Sequence, residues 1–374
     1  MKSVVLTPYC PLPSDTGGKT EMWKHLDLLQ NMGDCTIVSA AARPVGMGWT
    51  AEIKKQIEKR GFAVRLREEL HPNRNWRQWA GLVYGAICKG FKLESAFGHA
   101  NPYHRHAFPP DFLLEWSKGA DISVINYSYW TWLPTACPKV VILHDLLSTI
   151  MRVWNRRETE ELLRADLVVV ISKDEEIELR RRGLNNVLWS PPLVQPSDFP
   201  LTDQVGLLGS ANLFNQEGVR WLKQAAKPAS LPLAIYGALS RFADWPDAHK
   251  IAQYADSSQP CQECGIMLIP TASGTGVQIK AVEALAAGRA IVARKGAMRG
   301  LPLGASAWLE VNSPEAMWAQ AEHLSKDAQF RKMQAAKARA YYQQYLDADN
   351  ILAELRKAYA ALAGRKNSLS SFLQ

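Results

Sequence analysis

Two α/β domains, each a mainly parallel sheet with helices on both faces, are predicted by three observations. Strand-like apolar runs alternate with amphipathic helical patterns through both halves of the chain, as parallel sheets with helical crossovers require. The stretch Ser190-Pro-Pro-Leu-Val-Gln-Pro-Ser-Asp-Phe-Pro200 separates the halves and reads as a linker, because proline fixes φ and cannot donate to a sheet or helix. The length of 374 residues suffices for about two domains with a substantial core in each.

In the first half the predicted strands are 4–7, 35–39, 62–66, 122–126, 140–144 and 167–171; in the second they are 206–208, 233–236, 265–269 and 290–293. Beyond about residue 313 Ala, Gln, Lys and Arg predominate up to Arg365. This predicts a helical C-terminus with a polar, frayed tail from residue 366. The expected boundaries are a first domain over 1–190, a linker over 191–203, a second domain over 204–345, and a C-terminal helix and tail over 346–374 packing back towards the first domain. Doubly wound sheets bind ligands beyond the carboxyl ends of their strands. The expected active site is therefore a cleft across which the two domains face each other.

Composition narrows the class. The 47% hydrophobic fraction fits a globular protein, and the longest apolar runs fall well short of the roughly 18 residues that a membrane span needs. Residues 2–6 are too short an apolar run for a signal peptide and read as the first strand. The six cysteines, at 10, 35, 88, 137, 261 and 264, are too unevenly spaced for a disulfide framework and suggest reduced thiols in the cytoplasm. Cys261 and Cys264 form a C-x-x-C, but no second ligand pair completes a zinc site, so no metal is expected. Between residues 43 and 120 thirteen Lys or Arg face seven Asp or Glu, carrying most of the net charge of +8. A patch of this kind suits nucleic acid, anionic lipid or an acidic substrate.

The most informative segment runs from Gly265 to Gly288. Ile266-Met-Leu-Ile269 is a buried-strand pattern closed by Pro270, and Gly274 and Gly276 let the backbone turn tightly into the next helix. The free amides at that helix start attract anions. Lys280 and Glu283, at i,i+3 spacing, project from one face of the helix, whereas Val277, Ile279, Val282 and Leu285 spread over its buried side. Gly288 then ends the helix in the left-handed conformation. Phosphate chemistry with a neighbouring hydroxyl acceptor is what this pattern suits.

With four further segments, this strand, loop and helix resemble the retaining glycosyltransferases of the GT-B fold, the "group 1" or GT4-type family. The segments are Thr7-Pro-Tyr-Cys-Pro-Leu-Pro-Ser-Asp-Thr-Gly-Gly18, Val141-Ile-Leu-His-Asp145, Ala165-Asp-Leu-Val-Val-Val-Ile-Ser172 and Gly206-Leu-Leu-Gly-Ser-Ala-Asn-Leu-Phe-Asn-Gln-Glu-Gly218. The resemblance covers nearly the whole chain and is strongest over 144–301. It implies two Rossmann-like domains, with Gly17 and Gly18 in a loop approaching the donor phosphate or the acceptor. It places His144 near the donor sugar or the reacting centre. Gly209, Ser210 and Asn215, with Gly274, Thr275, Gly276, Lys280 and Glu283, would bind the donor. The catalytic assignments are His144 and Lys280, and no cofactor or catalytic metal is implied.

Two departures matter. Relatives contribute an Arg and a Lys from the loop after the second domain's first strand, where this chain has Ser210 and Glu217. The diphosphate charge would then fall to Lys280, or to Arg294, Lys295 or Arg299. Relatives also often carry two glutamates with seven residues between them; Glu283 matches the second, which meets the ribose, while Thr275 stands where the first would be. Sugar identity is correspondingly harder to read.

Three other patterns are weighed. Ser172-Lys-Asp-Glu175 has capping-box spacing and needs no chemistry. Trp76, Trp79, Ala80, Val83, Tyr84, Ile87 and Phe91 form a helical stripe flanked by Arg74, Arg77, Lys89 and Lys92, suited either to a core helix with a solvated rim or to an anionic membrane surface. His99, His104 and His106 fall in a proline-bearing segment read as a surface loop. The expected function is transfer of a sugar from a nucleoside diphosphate-sugar to a carbohydrate or lipid-linked acceptor, in cell-surface polysaccharide or glycolipid synthesis. A cytoplasmic location follows, with peripheral contact at the inner face of the membrane through the basic first domain. A nucleotide-sugar epimerase is the alternative enzyme. A basic nucleic-acid-binding protein is the non-enzymatic one, although no nucleic-acid module is recognisable and no nucleic-acid partner is expected.

Overall fold

β-Branched and other apolar residues concentrate in short runs such as Val140-Val-Ile142 and Val168-Val-Val170, and the computed structural model buries these runs completely. Such runs suit strands covered on both faces. The structure describes residues 1–7, 10–12, 17–39, 49–70, 80, 83, 87, 112–150, 155–254, 256–303 and 306–371. The chain forms two compact units, Met1–Ser190 with Leu352–Gln374, and Pro191–Ile351.

The first unit holds a seven-stranded sheet of β1 (Lys2–Leu6), β2 (Asp34–Ser39), β3 (Ala63–Leu66), β4 (Ile122–Asn126), β5 (Lys139–Leu143), β6 (Leu167–Val170) and β7 (Val187–Trp189). Its order is β3-β2-β1-β4-β5-β6-β7 and every pairing is parallel. The second unit holds β8 (Val205–Leu208), β9 (Leu233–Tyr236), β10 (His249–Ile251), β11 (Ile266–Ile269), β12 (Ala290–Arg294) and β13 (Leu309–Val311), in the order β10-β9-β8-β11-β12-β13 and again all parallel. Each order reverses once, between β1 and β4 and between β8 and β11. Loops leaving adjacent strands diverge there and open a crevice at the carboxyl edge.

Three strands escape the sequence pattern. β7, β10 and β13 have three residues each, too few to display a period, and each lies at or next to the margin of its sheet. Pairing with a neighbour, not intrinsic preference, makes them strands.

The helices that matter to the site are α1 (Gly17–Met32), α2 (Asn155–Leu162), α3 (Lys173–Arg181), α4 (Leu213–Leu222) and α5 (Ile279–Ala286). The C-terminal region is helical, as predicted, in α6 (Pro314–Lys326), α7 (Ala328–Tyr345) and α8 (Ala348–Ser371), although α8 runs on into the stretch expected to fray from residue 366. Ser313 and Asp327 cap α6 and α7 through their side chains, which satisfies an amide that the helix start leaves without a partner. One local expectation shifts: Val277 precedes α5 and does not form part of it. Asn215 lies within the first turn of α4, which Asn212 caps.

Of the tryptophan-bearing stripe, Ala80, Val83 and Ile87 are described; each is helical and exposed. The rest of that stripe and His99, His104 and His106 lie outside the described residues. No described helix is long and apolar enough to cross a membrane.

The second core gathers Val205, Leu207, Ile235, Ile266, Leu268 and Val292 against Val219 and Leu222 of α4 and Met317, Trp318 and Leu324 of α6. Leu268, in the sheet interior, has no exposed surface. Its truncation removes buried methyl groups and leaves a cavity, so Leu268→Ala lowers unfolding free energy by about 2–5 kcal/mol. Urea denaturation followed by tryptophan fluorescence, with Trp221 and Trp318 in this core, measures that loss as a lower transition midpoint.

Candidate active site

In the second unit the site forms at the reversal between β8 and β11. The β8 loop continues into Gly209, whose amide donates to Tyr236 O (3.2 Å) and whose carbonyl accepts from Leu239 N (3.0 Å). The backbone is thereby tied to β9. Asn215 enters this loop from α4 and uses its whole carboxamide. Nδ2 donates to Ser210 O (3.0 Å) and Oγ (3.3 Å), while Oδ1 accepts from Thr271 Oγ1 (3.1 Å) and Lys280 Nζ (2.9 Å). Lys280 also donates to Leu208 O (3.1 Å) and Thr271 Oγ1 (3.4 Å).

Ser210, Asn215 and Lys280, named from sequence, thus form one hydrogen-bonded cluster, and Gly209 lies against it, since a β carbon there would stand 3.0 Å from Asn215 Cγ. Thr271 completes it and was not foreseen, since a lone threonine after a strand carries no pattern. Each proton of the Lys280 ammonium has a protein oxygen. Loss of solvation, reinforced by the Arg299 guanidinium and opposed by Glu283, brings its pKa down to about 7.

The loop from β11 to α5 depends on glycine. Gly274 has φ +113°, and a β carbon there would stand 2.8 Å from Arg299 Nη2. Only glycine takes that backbone without strain while letting the guanidinium approach so closely. Arg299 donates to Thr271 O (3.3 Å) and Ala272 O (3.4 Å). Arg294, the alternative base, pairs with Glu217 (2.8 Å) and lies over Trp221. Lys295 is exposed. Arg299 is therefore the base that joins the loop.

The two helix starts differ. Asn212 caps α4 by accepting from Asn215 N (2.8 Å), whereas Gln278 at the start of α5 makes no side-chain cap. Its amide donates instead to Thr271 O (2.8 Å) and Ala297 O (2.6 Å). The α5 amino end thus has the character of an anion seat, with positive backbone partial charge and two cations close by. Glu283 lies one turn further on, partly exposed. Its charge reaches Tyr254, whose phenol pKa is raised first by burial and then by this carboxylate. Tyr254 follows β10 and packs edge-on to Tyr236 at 6.0 Å; the sequence offered no signal for it because β10 itself was missed. Thr275 lies in the same loop and is partly exposed.

In the first unit His144 follows β5, 4% exposed. Its Nε2 lies 2.9 Å from Asn126 Oδ1 at the end of β4. Burial pulls its pKa to about 4 and that of His25, on α1, to about 3, so both rings are neutral at pH 7. Tyr127 packs its ring 4.5 Å from that of His144, with φ +70° and ψ 146°, a conformation that costs a non-glycine residue of order 1–3 kcal/mol. A β carbon on Gly18 would stand 2.8 Å from the Tyr127 hydroxyl. Gly17 and Gly18 open α1, so Gly18 and His144 meet through Tyr127, which sequence reasoning missed.

The backbone beyond His144 is held by two buried carboxyl groups. Glu175 Oε1 accepts from Leu146 N (2.9 Å), and Glu158 accepts from Leu147 N (3.0 Å) and Ser148 N (3.3 Å) while pairing with Arg182 (3.2 Å). The capping-box reading is half right. Ser172 Oγ does accept from Glu175 N (3.4 Å), but the Glu175 carboxyl turns to the His144 loop. Burial, with Asp145, Glu158 and Asp174 nearby, pushes its pKa to about 8.

No family model and no curated protein matches the chain. Solved structures do. A structure of Anabaena HepE in complex with UDP is similar at TM-score 0.66 and 14% identity, over 97% of this chain and 100% of that one. For TarM the values are 0.66 and 10%, over 96% and 99%. For sucrose-phosphate synthase from Thermosynechococcus elongatus they are 0.64 and 14%, over 98% and 100%. With its two parallel sheets and helical C-terminus, the chain has the GT-B fold.

Because Glu175 is uncharged at neutral pH, Glu175→Gln keeps the acceptor for Leu146 N and is tolerated. Glu175→Ala leaves that buried amide without it and costs about 1–3 kcal/mol. The wild-type carboxyl retains its proton up to about pH 8, whereas the unfolded chain releases it near pH 4.3. Its contribution therefore makes stability fall as pH rises across that window. Unfolding titrations at pH 5, 7 and 9 check both points, with a shallower decline expected for Glu175→Gln.

Proposed function

We propose that this chain is a glycosyltransferase that moves a sugar from a nucleoside diphosphate-sugar to an acceptor hydroxyl. The second unit binds the donor, and the His144 cluster of the first recognises hydroxyl groups. One observation carries this reading: at the reversal of a GT-B sheet, α5 begins without a side-chain cap, with Lys280 behind it and Glu283 one turn on. Cleavage of the sugar–phosphate bond leaves negative charge on the diphosphate. Fixed amides and cations that meet the developing charge lower the barrier without reorganisation.

Each residue then has a role. The α5 amides contact the diphosphate; Lys280 stabilises it mainly through its field, since its hydrogens already serve protein oxygens, and Arg299 adds a second positive charge from the loop. That supply of positive charge supports metal-independent transfer. Glu283 accepts from ribose hydroxyls, and Tyr254 forms a wall near it. Thr275 offers a hydroxyl to the sugar. His144, neutral, binds a hydroxyl and bears no charge to lose. None of these roles supplies a side-chain nucleophile, and the retention that the GT4-type resemblance implies needs none if transfer takes place on one face of the sugar. The motifs that resemble GT4-type enzymes favour an acceptor from polysaccharide or glycolipid synthesis, and the basic stretch 43–120 favours work at the inner membrane face. HepE binds UDP in its solved structure, so UDP-sugars are the first donors to try.

Thermal shift against UDP-, GDP-, ADP- and CMP-sugars should show one class raising the melting temperature. With that donor, Lys280→Met and Glu283→Gln weaken binding at least about tenfold, the equivalent of ~1.4 kcal/mol. Donor affinity in the wild type falls as pH climbs through about 7, where Lys280 loses its proton. Lys280→Met removes that dependence. A diphosphate diester such as UDP-glucose suits calorimetry, because its own charge is constant over this range. Absence of stabilisation by every nucleotide sugar, with both variants as active as wild type, would sink the reading.

A further inference from the structure

The His144 ring stands at one end of a buried chain of side chains. Asn126 Oδ1 faces His144 Nε2 at 2.9 Å, and Asn126 Nδ2 lies 2.8 Å from Met22 Sδ. Thr7 Oγ1 donates to the same sulfur at 3.0 Å, and Ser39 Oγ donates to Thr7 O at 2.7 Å. Met22, Asn126, Thr7 and His144 are all buried.

The chemistry of the chain runs in one direction. A thioether sulfur can accept a hydrogen bond but has no hydrogen to give. Of the two ends of the Asn126 amide, the NH₂ end is therefore the one that can face Met22 with profit. Its carbonyl oxygen is left towards His144, and a carbonyl oxygen can only accept. The proton must then sit on Nε2, and Nδ1 keeps its lone pair. Turning the amide over would set a carbonyl against a sulfur lone pair and an NH₂ against the ring, an arrangement that suits only the other tautomer.

We propose that Asn126, oriented by the Met22 thioether, is a positioning residue that fixes His144 as the Nε2–H tautomer and so makes its Nδ1 an obligate hydrogen-bond acceptor. The consequence is selective: such a ring takes a hydrogen bond from a hydroxyl and has no proton for a phosphate oxygen at that nitrogen. Tyr127 belongs to the same device. Its amide still donates to Ile142 O of β5 (2.9 Å), so the strained φ begins directly after Asn126 while the strand end is held. The ring then packs on His144. Strain of this kind persists where surrounding contacts over-determine a conformation, and here it clamps the imidazole between the amide and the phenol. The kinetic consequence rests on the function proposed above; the tautomer does not.

The test uses the full chain labelled with ¹⁵N-histidine and long-range ¹H–¹⁵N correlation at pH 7, with the His144 signals assigned by their loss in His144→Gln. The wild type should show a protonated Nε2 and a bare Nδ1. Met22→Leu, close in volume and so tolerated, removes the sulfur that orients the amide. It should shift His144 to the Nδ1–H form or a mixture, although neither His144 nor Asn126 has changed. Asn126→Asp cannot donate to Met22 yet still accepts from the ring; it should keep Nε2–H and raise the fraction of imidazolium at pH 6. An Nδ1–H wild type, or a Met22→Leu protein with the wild-type tautomer, overturns the proposal. If Met22→Leu does not fold, Asn126→Asp decides alone, and an imidazolium fraction equal to that of the wild type overturns it.

A kinetic arm follows once a donor and an acceptor are in hand. Met22→Leu should lower kcat about tenfold and leave donor affinity, a property of the second unit, unchanged. A purely structural role would alter melting temperature without this tautomer shift. Because the spectrum needs no substrate, failure to find sugar transfer would count against the proposed function and leave the tautomer result standing on its own.

Discussion

The carboxamide of Asn215 is the interaction on which the second unit's site depends. Its two donors hold the β8 loop at Ser210, and its two lone-pair directions hold Thr271 from the β11 loop and Lys280 from α5. A buried amide that satisfies both ends is worth more than an isolated pair, because each missing partner would leave a polar atom desolvated without return. Three segments far apart in sequence are thereby fixed at the reversal of strand order, where the backbone alone would diverge. The positions of the cation and of Thr271 follow from this one group.

Burial sets the charge of the groups around it. Lys280 has its solvation removed and lies near Arg299, so its proton is held weakly near neutrality. In the first unit the same effect keeps His144 and His25 neutral and Glu175 protonated. The two clusters therefore differ in charge: positive backbone and cations in one, a neutral imidazole and a protonated carboxyl in the other. A nucleoside diphosphate-sugar and an uncharged hydroxyl are the partners that such a division suits, and this contrast is the physical basis of the proposed transfer.

Parts of this arrangement were legible in the sequence because they rest on local rules. The run Ile266-Met-Leu-Ile269, closed by Pro270 and followed by glycines, could only be a buried strand turning into a helix, and Gly288 takes φ +59° at its end. Lys280 and Glu283 share a face by helical spacing alone. Thr271, Tyr254, Asn126 and Tyr127 were not legible. Each is an ordinary residue at or just beyond the end of a strand, and its meaning comes from the strand placed beside it.

The sequence by itself determined the two parallel α/β units, the helical C-terminus and the glycine loop with its lysine and glutamate. Periodicity, proline and glycine act over a few residues, so these features need no knowledge of distant contacts. Only the tertiary structure decided where the charges and protons go. It paired Arg294 with Glu217 and gave Arg299 to the loop, turned Glu175 from its own helix to the His144 backbone, and set a methionine sulfur behind Asn126. Hydrogen bonds and desolvation depend on which atoms lie within about 3 Å in space, and that neighbourhood is set by strand order, not by spacing along the chain.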